Sequence, residues 1–241
     1  MAAPAAAQTS PSVSINFTDP GTFGGPNPGA NLASTELAGV TPLANWNNVS
    51  GVNGSTSNLM TSAGTSFANL SVTIANSPNT WSSPANQLPA TSDGKMIQGY
   101  IDTSATSITS VTVSGLLSAG FTGTYNVVAY GVGDNNGGRS GDYTIGTQSF
   151  RMVDDQQFNG TYRQSMAPGG SGPGQSGNYV LFTAISGDSF LLTAQATQDL
   201  GGFRAPINGI QIIAIPEPAH ILLGGAAVIA VLTSWRRRRE I

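Results

Sequence analysis

Cysteine is absent from the 241 residues, histidine occurs once, and only 9% of the side chains are charged. The first absence removes disulfides, thiol nucleophiles and thiolate metal sites together. The single histidine, His220, stands beside the apolar stretch near the C-terminus. A Ser-His-Asp arrangement or an imidazole-built metal site therefore cannot be assembled in the body of the chain. Scarcity of charge leaves surface polarity to Ser, Thr, Asn and Gln, a composition associated with exported bacterial proteins. A basic patch is lacking too. Residues 1–215 carry five basic and ten acidic side chains, and the other four arginines cluster at 236–239. Phosphate-driven binding has little to work with, so nucleic acid is not an expected partner.

What is present reads as one β-rich domain with a tail. The 31 glycines and 14 prolines stay below the level at which low complexity becomes the default, and the length allows a real core. Apolar residues alternate rather than follow a helical period. Val13, Ile15 and Phe17 share one face of VSINF, and Leu70, Val72 and Ile74 share one face of LSVTI. TYNVVAYGV is apolar on both faces, with Tyr125, Val127 and Ala129 against Val128, Tyr130 and Val132. NYVLFTAI and SFLLTAQA, joined by Ser186-Gly187-Asp188, read as a hairpin. INGIQIIAI closes the body, and further strands are expected near 95–101, 107–113 and 142–152, about nine in all. No stretch before Ala219 predicts a helix longer than two turns, which favours an all-β fold, an antiparallel β-sandwich of jelly-roll type. Residues 19–31 and 165–178, rich in Gly and Pro, are expected as surface loops or disorder. The terminal strands, around Val13–Phe17 and Ile210–Ile213, are expected to pair and so cover each other's edges.

Chemistry-bearing residues are few. Catalysis would fall to carboxylates, but the adjacent Asp154 and Asp155 would face opposite ways on a strand, so no catalytic residue is assigned and the body is read as non-enzymatic. For ligand binding, Trp81, Arg139, Tyr143, Tyr162, Arg163 and Arg204 supply aromatic and guanidinium groups in or beside loops, as a polysaccharide would require. Trp46 and Tyr130 lie in apolar alternating stretches and are expected in the core; Arg139 and Arg204 suit salt bridges with Asp more than ligand clamps. Asp134, Asn136 and Asp142 in DNNGGRSGD offer the oxygen ligands a structural Ca²⁺ takes, although the spacing fails the EF-hand pattern and an Asn/Gly-rich turn between strands is the favoured explanation. No other cofactor is implied.

The end of the chain differs in kind. Ile221 to Trp235 is 15 residues without a charge, about 22 Å as a helix. That reaches a single transmembrane helix if Trp235 sits at the interface and Arg236, Arg237, Arg238 and Arg239 snorkel. Basic residues on that side are retained in the cytoplasm, placing the body outside. Pro216 and Pro218 around Glu217 hold the preceding chain extended.

Pro216-Glu217-Pro218, an apolar segment and a terminal Arg cluster, in that order, resemble the PEP-CTERM sorting signal of Gram-negative bacteria. The resemblance covers 216–241 and implies export, an inner-membrane precursor, an exosortase-type membrane enzyme as partner, and delivery to the cell surface or extracellular matrix. Residues 1–10, with Ala5, Ala6 and Ala7, read as the last part of a signal peptide or as a flexible Ala-rich terminus. Within the 11–215 body, LANWNNVSG (43–51), VSGL (113–116), YGVGDNNGGRSGDYTIG (130–146), FNGTY (158–162) and INGIQI (207–212) resemble extracellular jelly-roll domains of PEP-CTERM proteins, similar in look to galactose-binding-like modules. That implies a fold and an extracellular setting and carries no activity over; within it a carbohydrate- or matrix-binding body and a purely structural matrix component stand nearly level, ahead of a carboxylate-based glycan-active enzyme.

Overall fold

The computed structural model describes residues 10–19, 21, 30–133, 138–154, 156–197 and 204–216. The sorting tripeptide beyond Pro216, the apolar segment and Arg236–Arg239 lie outside them. No helix among the described residues is long and apolar enough to cross a membrane.

Fourteen strands occur among the described residues: β1 Ser12–Thr18, β2 Asn47–Ser50, β3 Gly54–Ser57, β4 Ser71–Ala75, β5 Thr80–Ser82, β6 Gly99–Ile101, β7 Ile108–Ser114, β8 Tyr125–Tyr130, β9 Arg139–Ile145, β10 Gln148–Asp154, β11 Gln175–Ser176, β12 Tyr179–Ile185, β13 Ser189–Ala196 and β14 Gly209–Ala214. One helix, α1, spans Ser92–Gln98. They form a five-stranded sheet β12-β8-β14-β1-β2, a seven-stranded sheet β11-β10-β9-β13-β7-β4-β3 and a small β5-β6 pair. The arrangement is β-sandwich-like and mostly antiparallel. Two pairs, β1–β2 and β10–β11, run parallel.

Alternation drives the layering. Val13, Ile15 and Phe17 from β1 and Ile210 and Ile212 from β14 meet Val72, Ile74, Val111, Val113 and Leu192 of the other sheet in one core. β8 is apolar on both faces and is used on both. Its Tyr125, Val127 and Ala129 enter that core, while Val128 and Tyr130 join Trp46, Met96, Ile97 and Phe158 on the outer side of the five-stranded sheet. Trp46 and Tyr130 are core residues, as their apolar settings suggest.

β1 pairs antiparallel with β14, Val13 opposite Ile212 and Ile15 opposite Ile210. The expected pairing of the terminal strands is therefore met. Other expectations need correction. Residues 179–185 and 189–196 do not form a hairpin: β12 pairs with β8, and β13 with β7 and β9, in different sheets. The connection is a corner, with a register break between Phe182 and Ile185 and positive φ at Ala184 (54°) and Gly187 (100°). Val180 and Phe182 then face Phe190 and Leu192 across the same core, so alternation fits either arrangement. The strand expected over 95–101 is only β6; α1 takes residues up to Gln98 because the Thr91 hydroxyl caps it by accepting from the Gly94 N–H (3.2 Å) and Met96 and Ile97 are buried beneath it. The run 142–152 is two strands folded about Gly146 and Thr147.

Register defines two ends. Thr18, Ala75, Ile108, Tyr130, Arg139, Asp154 and Ala196 lie toward one, the loop end. Ser12, Ser71, Ser114, Tyr125, Ile145, Gln148, Ile185 and Ser189 lie toward the other, from which Ile215 and Pro216 leave the sheet.

Candidate functional site: the loop end of the sandwich

Four of the six ligand candidates, Trp81, Arg139, Tyr143 and Arg204, fall at the loop end. Arg204 forms an ion pair with Asp102, whose side chain is completely buried. Burial holds the Asp102 carboxyl above its ordinary value, against the opposing pull of Arg204. Its other oxygen accepts from the Thr103 N–H (2.9 Å), and the Thr103 hydroxyl accepts from the Ala205 N–H (2.6 Å). This ties the 102–103 turn to the segment entering β14. Arg139 stands opposite Asp154 in the β9–β10 register, and the buried Asp154 accepts from the Gly133 N–H (2.7 Å). Tyr143 is buried, its hydroxyl donating to the Pro206 carbonyl (2.7 Å), and burial pushes that hydroxyl's pKa well up. Trp81 is half-buried opposite Tyr100 in the β5–β6 pair. Nearby, buried Asp19 accepts from the Gly21 N–H (3.0 Å) and the Thr80 hydroxyl (2.8 Å).

The Arg204 side chain is 39% exposed and that of Asp102 wholly buried, so the pair stabilises mainly by preventing an unpaired buried carboxylate. Arg204→Ala is expected to cost about 2–3 kcal/mol at neutral pH, discounted for the solvent around the guanidinium. The sign follows from the raised folded pKa. Asp102's contribution is fully present below its unfolded pKa, the ordinary 3.8, and declines as pH rises from there through the folded value. The deficit of the variant should therefore shrink on acidification, once the carboxyl is protonated in both proteins. Urea unfolding of the two at pH 7 and at low pH checks this; a deficit independent of pH would contradict it.

The remaining candidates, Tyr162 and Arg163, belong to the segment between β10 and β12. They point different ways. Tyr162 enters the outer aromatic cluster beside Tyr130, Phe158 and Tyr179, and its hydroxyl donates to Asp93 (2.6 Å). Burial first, and then that bond, raise its pKa. Arg163 instead borders a cleft of about 280 Å³ with Gln156, Gln157, Asn159, Thr161, Gly177 and Asn178. Its guanidinium donates to Gln156 Oε1 (2.5 Å), and its backbone N–H to Asn178 Oδ1 (2.8 Å). Asn178 Nδ2 in turn holds the Thr161 carbonyl (2.9 Å), and Asn159 Oδ1 accepts from the Thr161 N–H (3.1 Å). The cleft is walled by amides, a hydroxyl and one cation, and among the described residues no carboxylate lines it. Such groups donate and accept hydrogen bonds without carrying acid–base chemistry of their own.

Asp134 and Asn136 lie outside the described residues. Asp142 faces out from β9, where both oxygens bind Arg151 (2.8 and 2.9 Å) and one also accepts from Gly170 N–H (2.9 Å). Among the described residues no group of three or more His, Cys, Asp or Glu is placed to hold a metal ion. Sequence reasoning passed over Asp102, Gln156, Gln157 and Asn178. Only for Asp102 was there a signal, a lone acid immediately after the apolar Gly99–Ile101 strand. Protein-family models, curated proteins and solved structures contain no match to this chain.

Proposed function

We propose that the chain is an exported surface or extracellular-matrix protein, sorted through its PEP-CTERM-like tail, whose body binds a neutral polysaccharide at the Arg163 cleft. The observation that carries the binding reading is the lining: Gln156, Gln157, Asn159, Thr161, Arg163 and Asn178 present donors and acceptors together, and among the described residues the Arg163 guanidinium is the one charge there. The tail reading rests on the order Pro216-Glu217-Pro218, apolar segment, Arg236–Arg239, and implies an exosortase-type enzyme and the inner membrane as partners. The jelly-roll assignment rests on the strand pattern and on resemblance, the galactose-binding-like one on resemblance alone. The reading is one of binding rather than turnover, since Asp102 is committed to Arg204.

A second reading, a purely structural matrix component, is favoured by a different observation. Trp46, Tyr130 and Tyr143 are buried, so these rings cannot serve as a platform for the CH face of a sugar. A glycan array separates the two. Saturable binding of the full chain, weakened about tenfold by Arg163→Ala through loss of a charge-assisted hydrogen bond, is the expected result. Absence of any glycan signal would leave the structural reading, and binding indifferent to Arg163→Ala, Gln157→Ala and Asn159→Ala would remove the site from this cleft.

A further inference from the structure

The end of the sandwich opposite the cleft is different in chemistry. Over 115–124, 146–148 and 184–191 the one charged side chain is Asp188, and its carboxylate already accepts from the Leu117 N–H (2.8 Å). Three of the exposed large hydrophobics gather here: Leu117, Leu191 and Ile215. Two shallow grooves that share Ser186 connect them, one of about 490 Å³ bordered by Leu117, Ile215 and Pro216, the other of about 660 Å³ bordered by Ile185 and Leu191.

The tail leaves from the wall of the first groove. Between Ile215 and Ile221, where the uncharged segment begins, stand five residues, at most roughly 17 Å of extended chain. Pro216 and Pro218 keep part of that length extended and limit how far the body can swing. We infer that this end of the sandwich rests on a lipid surface, with Leu117, Ile215 and Leu191 entering the interface. The inference rests on the reading of 221–235 as a membrane segment. Given that reading, the short tether brings this end, and no other, to the bilayer. Its near-neutrality spares the desolvation of charges, and the missing cations point to apolar contact rather than attraction to anionic headgroups. The loop end and the Arg163 cleft then face away from the membrane.

The absence of cysteine makes the test direct. Leu117→Cys, Ile108→Cys and Leu222→Cys variants of the full chain, each carrying a bimane label, are reconstituted in phosphatidylcholine vesicles with and without brominated lipid. Leu117 and Ile108 are similarly exposed, 53% and 46%, but lie at opposite ends, so both substitutions should spare the fold; circular dichroism checks it. The expected result is strong lipid quenching at 222 and quenching at 117 at least about threefold that at 108. Quenching at 222 with 117 no different from 108 would overturn the inference and keep the membrane tail. No quenching at 222 would remove the membrane reading and the inference with it. A label at 117 shielded from aqueous iodide in lipid-free detergent would assign the patch to the chain's own tail or a second copy, and also overturn it.

Discussion

Removal of residues 1–17 is expected to leave the remaining chain without a cooperative unfolding transition. β1 is an internal strand, hydrogen-bonded to β14 on one side and β2 on the other, so its loss exposes two backbone edges at once. Val13, Ile15 and Phe17 are all completely buried in the main core. At about 1.5–3 kcal/mol per side chain their removal alone forfeits roughly 4.5–9 kcal/mol, comparable with the whole stability of an ordinary domain. On the other face Asn16 donates to the Ala30 carbonyl (3.1 Å) and to Asn48 Oδ1 (2.9 Å), so the segment leading to β2 loses its anchor as well. Thermal unfolding by circular dichroism, with dye binding to exposed apolar surface, reads the effect. A truncated chain that melts cooperatively within a few degrees of the parent would show that β14 and β2 can close without β1.

Asn208→Ala should be the most damaging single substitution among those considered. The Asn208 side chain is buried, and its Nδ2 donates to the carbonyls of Ile97 (2.7 Å), Val132 (3.0 Å) and Gly99 (3.1 Å), while its Oδ1 accepts from the Val132 N–H (2.6 Å). One amide thus joins the end of α1, the start of β6 and the exit of β8 at the entry to β14. Truncation leaves several buried backbone groups without partners, at about 1–3 kcal/mol each where water cannot replace them. A loss of about 4 kcal/mol is expected, a fall in midpoint of roughly 10 °C for a domain of this size. Asn208→Asp supplies the control: the acceptor toward Val132 survives, but the donors are replaced by a carboxylate facing carbonyls. It should be no better than alanine at neutral pH and recover on acidification. A loss below about 1 kcal/mol in Asn208→Ala would mean that water satisfies these groups.

Polar residues inside apolar strands were the part of the sequence hardest to read. INGIQIIAI declares a strand by its isoleucines, yet Asn208 and Gln211 carry the long-range fixation. Gln211 accepts the Tyr130 hydroxyl and donates to the Thr41 carbonyl (2.8 Å), fastening the 38–41 loop to the sheet. Their partners are distant in sequence, and nothing in local spacing announces them. The same holds for the cleft. Arg163 was legible as a guanidinium in a loop, but the amides that join it come from both sides of that loop and meet only because β11 folds back beside β10. Tyr162, its immediate neighbour, points into an aromatic cluster instead, a division that adjacent residue names could not reveal.

The sequence by itself determined the all-β class, the inward faces of β1, β4 and β8, and the separate character of the tail, because alternation, net charge and uninterrupted apolar length are local properties that survive any choice of partner. It also permitted the pairing of the terminal strands to be anticipated. Tertiary structure decided which sheet each strand joined. A period of two buries Phe182 and Phe190 equally well in a hairpin or across a sandwich, and the choice went to the corner at Ala184 and Gly187, where the register breaks. It also decided that Asp102 would be buried against Arg204, and that α1 would displace an expected strand, because a single Thr91 cap and two buried side chains outweigh propensities that differ by only a few tenths of a kcal/mol per residue.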